Sequence, residues 1–147
     1  MTLTVHQERF ADSVTDATVL MAMHWKELYG AAGFRADIGG MTDMEARGEF
    51  FYFTLRSDKG ELAGHLGMMI IRQPLYGKLI AMDLFYYILP EHRGGTAICK
   101  LLRFGAESLQ RMGIPQISMS HPADNNLGAL LKRAGFRKTS EIYNFGE

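Results

Sequence analysis

Apolar residues recur along the first part of the chain with the spacing of an amphipathic helix. They fall every three or four positions over residues 14–29, and Gly30 then ends the pattern. Ser13, followed three residues later by Asp16, predicts the capped start of this helix. A second, shorter helix is predicted over residues 42–47, with Thr42 as its cap.

The segment between these two helices, residues 30–40, is rich in glycine and carries Phe34, Arg35 and Asp37. Its composition predicts a loop. Two interpretations stay open: the three side chains face a substrate, or the segment is a solvated connection.

The middle of the chain has the composition of β-strands. Residues 49–56 are rich in aromatic side chains, and a turn at residues 57–60 separates them from a second apolar stretch at residues 62–72. A third stretch, residues 79–89, follows a turn that contains Pro74. Connections this short join antiparallel neighbours, so these strands are predicted to form an antiparallel sheet, with residues 3–5 as a further short strand.

A strand, a glycine turn and a helix follow one another in the next part of the chain. The third apolar stretch ends at Pro90, and Arg93 and two glycines form a turn. Apolar residues then return at helical spacing over residues 95–112, and a short strand is predicted at residues 116–120. A strand–helix–strand unit of this kind predicts a crossover between parallel strands.

The remaining residues predict a second short helix and a last strand. Asp124 or Asn125 caps the helix, Gly135 ends it, and the strand covers residues 142–145. The whole pattern is that of a single α+β domain over residues 1–147. It has a mixed, mostly antiparallel central sheet and helices on both faces.

Composition and charge exclude several classes of protein. Sixteen basic residues balance sixteen acidic ones, which disfavours a protein that mainly grips nucleic acid. The single cysteine, Cys99, permits no internal disulfide and is typical of a reducing cytoplasm, where we expect the protein. The histidines and the cysteine have no metal-ligand spacing, and no apolar run is long enough to span a membrane. We therefore expect neither a metal nor a membrane.

The turn after Pro90 carries the clearest chemical signal. A helix that begins directly after glycines points unpaired backbone N–H groups at one spot, and that spot attracts anions, phosphates above all. The order of strand, Pro90-to-Gly95 turn, helix, strand and capped helix ending at Gly135 resembles the GNAT superfamily of N-acetyltransferases, in particular its short bacterial or phage members. The resemblance covers the chain in element order and is sharpest over residues 79–136.

The GNAT signature, Arg/Gln-X-X-Gly-X-Gly/Ala, is only partly present. Arg93 fills its first position, whereas Thr96 and Ile98 stand where a glycine and a small residue are expected. The resemblance implies acetyl-CoA as cosubstrate, held by backbone groups. The implied contacts are Tyr86, Tyr87 and Ile88 for the pantetheine arm, and Arg93, Gly94, Gly95, Thr96, Ala97 and Ile98 for the pyrophosphate.

Acetyl transfer to an amine requires a deprotonated amine, a polarised thioester carbonyl and a proton for the departing thiolate. The resemblance implies that strand backbone near Tyr87 polarises the carbonyl. It also aligns Leu131 with the family's tyrosine acid and Asp124 with its asparagine. The catalytic candidates are Asp83, Tyr87 and His121, with Tyr86 and Tyr143 as further acids or bases. Asp83 is a carboxylate in an otherwise apolar strand, and a histidine such as His121 can relay protons near neutral pH.

Two functions stay open at this point. One is an N-acetyltransferase that uses acetyl-CoA and a primary amine, either a small molecule or a protein amine. The other is a GNAT-fold module that binds CoA or a protein partner but has lost efficient catalysis, which the residues at positions 96, 98 and 131 favour. The resemblance also implies a possible homodimer, formed through the last strands. The apolar residues there, Ile142, Tyr143 and Phe145, suit such a contact or the core equally.

Overall fold

The helices and strands follow the predicted order up to the last helix. The computed structural model describes residues 2–30, 32–123 and 125–146. Its strands are β1 (Leu3–Glu8), β2 (Phe50–Ser57), β3 (Leu62–Gln73), β4 (Lys78–Ile88) and β5 (Gln116–Ser118). Its α-helices are α1 (Phe10–Tyr29), α2 (Ile38–Ala46), α3 (Ala97–Arg111) and α4 (Leu127–Arg133). A single 3₁₀ turn, Pro90–His92, connects β4 to the glycine turn.

The strands lie side by side in sequence order, β1-β2-β3-β4-β5. The first four are antiparallel, whereas β5 pairs with β4 in parallel, as the α3 crossover requires. The fold class is therefore α+β with a mixed, mostly antiparallel sheet, as the sequence predicts.

Helices cover both faces of this sheet because β2 is apolar on both sides. Phe50 and Tyr52 point towards α1 and α2, where they pack with Phe10. Phe53 and Leu55 point towards α3. All of these side chains are buried, and each contributes about 2 kcal/mol from the removal of its apolar surface from water. Two separate cores, one on each face, hold the sheet between the helices.

The helix α1 begins earlier than the sequence predicts. It starts at Phe10, and Ser13 lies inside it, where its hydroxyl donates to the Glu8 carboxylate. The caps come from Glu45 in α2, whose carboxylate accepts from the backbone N–H groups of Phe10 at 2.5 Å and Ala11 at 3.0 Å. The predicted capping box at Ser13 is wrong because a different helix satisfies these donors.

The helix α2 also begins earlier. It starts at Ile38, and the side chain of Asp37 caps it by accepting from the backbone N–H of Gly40 at 2.9 Å. Thr42, the predicted cap, lies inside the helix, and its hydroxyl donates to the carbonyl of Gly39. Asp37 is better placed because it stands directly before the first helical residue.

The predicted last strand at residues 142–145 is wrong. The described chain has no strand there, and Ile142, Tyr143 and Phe145 are all exposed, so they do not belong to the core. A strand needs a neighbour for its backbone groups, and the described chain brings none alongside. The side chain of Glu141 instead accepts locally from Lys138 and from the Tyr143 hydroxyl.

The sequence predicts the cap of α4 at Asp124 or Asn125. Asp124, a predicted cap of α4, lies outside the described residues. Asn125, the alternative, has a side-chain oxygen that accepts from the backbone N–H of Leu127 at 3.1 Å.

Within residues 2–30, 32–123 and 125–146, no helix has both the length and the apolar character needed to cross a bilayer.

Candidate active site

The two parallel strands separate near the middle of β4. Their pairing covers only Ile80, Ala81 and Met82 of β4, although β4 continues to Ile88. Beyond Met82, the edge of β4 that faces β5 has no paired strand among the described residues. Every second residue of such an edge presents its backbone N–H and C=O outwards, so this edge can pair with an extended ligand.

Asp83 and Tyr86 meet at the opening between the strands. The Asp83 carboxylate accepts from the backbone N–H of Ser120 at 2.9 Å and from its hydroxyl at 3.2 Å. The Tyr86 hydroxyl donates to the Ser120 carbonyl at 2.6 Å. Burial raises the pKa of the Asp83 carboxyl, and the hydrogen bonds from Ser120 oppose this shift. Burial, and then the charge of Asp83, raises the pKa of Tyr86.

His121 follows Ser120 at the same opening. Its Nδ1 lies 2.8 Å from the carbonyl oxygen of Pro122 and 3.0 Å from the side-chain oxygen of Asn125. Both partners are acceptors, so these contacts select the tautomer of the neutral ring in which Nδ1 is the donor and Nε2 the acceptor. A Cβ atom on Gly128 of α4 would lie 3.1 Å from Nε2, so this glycine makes room for the ring.

Tyr87 lies on the opposite face of the sheet. Its ring is buried and stacks on His24 of α1, with ring centroids 4.9 Å apart. Burial, followed by the charge of Glu27, raises the pKa of Tyr87. The structure therefore brings Asp83 and Tyr86 together with the segment that carries His121, whereas the Tyr87 side chain is separated from them by the sheet. The Tyr87 backbone groups face β3, where Tyr87 pairs with His65, so the backbone groups that face the unpaired edge here are those of its neighbours Tyr86 and Ile88.

The side chain of Arg93 turns back towards the sheet. Its Nε donates to the Ile88 carbonyl at 3.1 Å, its terminal nitrogen pairs with Glu27 at 2.9 Å, and the guanidinium carbon lies 5.2 Å from the centre of the Tyr87 ring. Arg93 therefore fixes the start of the turn against β4 and α1. Because its side chain is engaged in these contacts, only the Arg93 backbone is available to contact a pyrophosphate.

The turn itself is open. Gly94 has a φ of +91°, a conformation that favours glycine, and a Cβ atom on Gly94 or Gly95 would meet no atom within 4 Å. The helix α3 then starts at Ala97, and Thr96 makes no side-chain capping bond. The first N–H groups of a helix have no partner within it, so the backbone at the start of α3 can bind phosphate oxygens. The Ile98 side chain is buried in the core, so only its backbone is accessible at this turn.

A cavity of about 630 Å³ lies on the other face of the sheet, between α1, α2 and β4. A β-bulge shapes its wall, since Asp83 pairs with Met68 and Phe85 with Gly67, which leaves Leu84 as an extra residue. Leu84 and Phe85 consequently both line the cavity. Sequence patterns gave no signal for this bulge, because it depends on the register between two strands.

The loop before α2 contributes to the same cavity. Phe34, Arg35 and Asp37 all line it, so they face a cavity rather than forming only a connection. His24 lines it from α1. Burial lowers the pKa of His24, and the charge of Glu27 opposes this shift. The imidazole of His24 is therefore neutral at pH 7.

Tyr143, a predicted acid or base, and Leu131, at the position aligned with the family's tyrosine acid, supply no acid or base to the opening. Leu131 is buried and packs in the core on the α3 face. Tyr143 is exposed, and no hydrogen bond links it to β4 in the described part of the chain. Among those residues, no group of three or more histidine, cysteine, aspartate or glutamate side chains is arranged to hold a metal ion.

Solved structures with the same fold are acetyltransferases, although no protein-family model and no curated protein sequence matches this chain. AAC(6')-Iy, in complex with the bisubstrate analogue CoA-S-monomethyl-acetylneamine, is 14% identical with a TM-score of 0.77, over 100% of this chain and 99% of that one. An acetyltransferase of Trypanosoma brucei is 15% identical (TM-score 0.73; 99% and 100% covered). Ribosomal-protein-alanine N-acetyltransferase from Brucella melitensis is 17% identical (TM-score 0.71; 99% and 100% covered). The chain therefore has the fold of the GNAT acetyltransferases.

Proposed function

We propose that this protein is an acetyl-CoA-dependent N-acetyltransferase that transfers an acetyl group to a primary amine by direct attack in a ternary complex. Residues 1–147 act as one catalytic domain. The observation that carries the proposal is the unpaired edge of β4, which runs directly into the open turn at Gly94 and Gly95 and the free N-terminus of α3. A cosubstrate with an extended arm and a pyrophosphate matches this sequence of features.

The stretch of Tyr86, Tyr87 and Ile88 pairs with the pantetheine arm in this proposal, through the outward-facing backbone groups of Tyr86 and Ile88. The pyrophosphate is bound by backbone N–H groups at the turn and at the start of α3, which belong to Arg93, Gly94, Gly95, Thr96, Ala97 and Ile98. The neighbour AAC(6')-Iy, solved with a CoA-containing bisubstrate analogue, supports this assignment through its shared fold. The departures at Thr96 and Ile98 leave it intact because backbone atoms do the binding.

The catalytic roles follow from the groups around the thioester position. The amide near Tyr87 polarises the carbonyl, and the amine nitrogen then attacks its carbon while the carbon–sulfur bond breaks. Asp83 and His121 accept protons at the opening, directly or through water, since Asp83 has a raised pKa and His121 presents a free Nε2. The Tyr86 hydroxyl, beside Asp83, protonates the departing thiolate in this proposal, after it releases the Ser120 carbonyl to which it donates in the structure.

Calorimetric titration with acetyl-CoA and with CoA tests the binding half of this proposal. We expect micromolar or tighter binding of both, and a loss of about tenfold or more in the Gly95→Glu variant, because a carboxylate there opposes the pyrophosphate. A Cβ atom at Gly95 would meet no atom within 4 Å, so we expect the variant to fold. Thr139→Glu, in the exposed C-terminal segment, adds the same charge elsewhere and serves as the control. An unchanged affinity of the Gly95→Glu variant for CoA would show that the cosubstrate binds away from this turn.

A second candidate is a CoA-binding or protein-interaction module without efficient catalysis. It is favoured by Leu131, which is buried in the core at the position aligned with the family's tyrosine acid. The two candidates differ in turnover, so free thiol is measured after acetyl-CoA is mixed with a panel of primary amines. Binding of CoA without amine-dependent thiol release supports the module, whereas amine-dependent release supports the enzyme.

We also propose that the protein acts in the cytoplasm and pairs as a homodimer through its C-terminal segment. The exposed apolar side chains of Ile142, Tyr143 and Phe145 support this contact. Light scattering after size exclusion tests it: the wild type is expected at twice the chain mass, and a Tyr143→Asp/Phe145→Asp variant as a monomer. A monomeric wild type at high concentration would contradict the dimer.

A further inference from the structure

The cavity between α1, α2 and the β4 bulge has an apolar inner surface. Its inner side chains belong to four different segments of the chain and include flexible methionines, which adapt to irregular shapes. These buried or half-buried apolar residues are Met21, Phe34, Met41, Met44 and Phe85. At about 630 Å³, the cavity has the size of an ordinary small-molecule site.

Charged residues surround only the outer part of this cavity. Four charged side chains line it, and all four are exposed: Arg35, Asp37, Asp43 and Arg47. Two of them already have partners, since Arg47 pairs with Glu49 at 3.1 Å and Asp37 caps α2. The lining charges cancel, so this entrance offers no net attraction to an acceptor with several positive charges.

One described side chain of the inner part, that of His24, has a titratable group that can bind an amino group. Of the described lining residues that are not exposed, His24 alone is titratable. The indole N–H of Trp25 is already bonded to the Ala32 carbonyl at 2.8 Å. His24 stacks on Tyr87, which stands in β4 between Tyr86 and Ile88, the two residues whose backbone faces the unpaired edge. An amino group placed near His24 therefore lies beside the strand proposed to hold the thioester.

We propose that the acceptor is a small primary monoamine with an aromatic or branched apolar body, bound with its amino group towards His24 and β4. This inference rests on the proposed function and names its acceptor class. The apolar body occupies the inner surface around Phe34, Met44 and Phe85. A polycationic acceptor is outside this class because none of the described residues of the inner surface offers a carboxylate to a further ammonium group, and the two entrance carboxylates are balanced by the two entrance arginines.

Calorimetry of the full chain, in the presence and absence of saturating CoA, tests the acceptor class without requiring turnover. The probes are 2-phenylethylamine, ethanolamine, the aminoglycoside sisomicin and a tripeptide with a free N-terminal methionine. We expect 2-phenylethylamine to bind about tenfold or more tightly than ethanolamine, since only the former fills the apolar inner surface. We also expect it to bind more tightly than sisomicin and the tripeptide.

A pair of variants locates the binding. Met44→Asp places a charge on the inner surface and is expected to weaken 2-phenylethylamine binding by about tenfold or more. Met23→Asp, on an exposed position of α1, is the matched control and is expected to bind as the wild type does. The ranking of probes by the wild type needs neither variant, so the inference stays testable if Met44→Asp does not fold.

The outcomes separate this inference from the proposed function. Tighter binding of sisomicin, or of the tripeptide, overturns the monoamine class while leaving acetyl transfer in place. Equal binding of 2-phenylethylamine and ethanolamine overturns it as well. If CoA itself does not bind, the proposed function fails, whereas the probe ranking measured without CoA still decides what the cavity accepts.

Discussion

The ring of Phe85 lies directly over Gly67 of the neighbouring strand, so closely that a Cβ atom on Gly67 would lie 2.5 Å from the ring's Cζ. Gly67 and Phe85 are paired residues of β3 and β4, next to the bulge at Leu84. This close approach seats Phe85 against the sheet and keeps the cavity beside it open. A strand glycine at such a position permits one aromatic ring to cover its neighbour.

Gly67→Ala is expected to push Phe85 towards the cavity. The overpacking should lower the free energy of unfolding by about 1–3 kcal/mol and weaken acceptor binding, while CoA binding at the edge of β4 and the glycine turn persists. Urea unfolding and calorimetry measure the two effects. Gly39→Ala in α2, where an added Cβ meets no atom within 4 Å, is the control. An unchanged acceptor affinity in a destabilised Gly67→Ala protein would show that Phe85 relaxes away from the cavity.

Asp83→Asn is expected to lower kcat by about 100-fold or more if the carboxylate accepts a proton in the reaction. The asparagine oxygen can still accept from the Ser120 N–H, so the opening keeps its shape. Burial raises the pKa of Asp83, so its carboxylate takes up a proton at a higher pH than an ordinary aspartate does. The wild-type rate should therefore begin to fall at that higher pH as the solution is acidified. The variant should lose this acid limb. Asp58→Asn, in an exposed turn, is the control, and a full rate in Asp83→Asn would remove the carboxylate from the mechanism.

His121→Ala is expected to lower turnover by about 100-fold without changing the affinity for CoA, because the ring acts on protons rather than on binding. Gly128→Ala should have a smaller effect in the same direction, since its Cβ would lie 3.1 Å from Nε2 and displace the ring. Steady-state rates and CoA titrations of both variants measure this. If His121→Ala turns over like the wild type, His121 has only a structural role.

The stability of the fold should depend on pH through His65. This histidine is fully buried on β3, where its Nδ1 lies 2.8 Å from the Tyr52 hydroxyl and its Nε2 has no hydrogen-bond partner among the described residues. Burial, and then the charge of His24, lowers the pKa of His65 to about 3. The unfolded chain takes up a proton as the pH falls through about 6.5, whereas the folded chain does so only near the lowered value.

Acidification from about pH 6.5 towards pH 3 should therefore destabilise the protein, because His65 takes up a proton in the unfolded chain but not in the folded one. Between pH 6.5 and 4.5 the free energy of unfolding should fall by roughly 2–3 kcal/mol from this residue. Urea unfolding at a series of pH values, for the wild type and His65→Leu, isolates the contribution as the difference in slope. At neutral pH the variant is expected to be less stable than the wild type because Tyr52 loses its partner, but its slope should be flatter. Equal slopes in the two proteins would contradict the assignment.

The sequence predicts the sheet and the crossover well because their signals are local. Apolar residues on both sides of β2, from Phe50 to Leu55, predict a strand covered on two faces. The glycine turn after Arg93 and the helical spacing that follows predict α3 and its exposed N-terminus. The parallel pairing of β5 follows from the handedness and length of the crossover. The positions of Asp83 and His121 near one opening follow from the same unit.

Caps and strand ends were predicted less well because their partners are distant in sequence. Glu45, in α2, supplies the cap that sets the start of α1, so no pattern near Ser13 could reveal it. The segment around Tyr143 has the composition of a strand, but composition does not provide the neighbour that a strand requires. Both errors come from backbone groups whose partners only the folded chain determines.

The amino-acid sequence by itself determined the order of elements, the α+β class and the anion-attracting turn at Gly94, since each depends on residues that are neighbours along the chain. Only the tertiary structure decided where side chains meet. It separated Tyr87 from Asp83 by the thickness of the sheet, folded Arg93 back onto Ile88, and placed Leu84 in a bulge beside the cavity. These relationships depend on strand register and on contacts between distant segments, and local spacing carries no information about either.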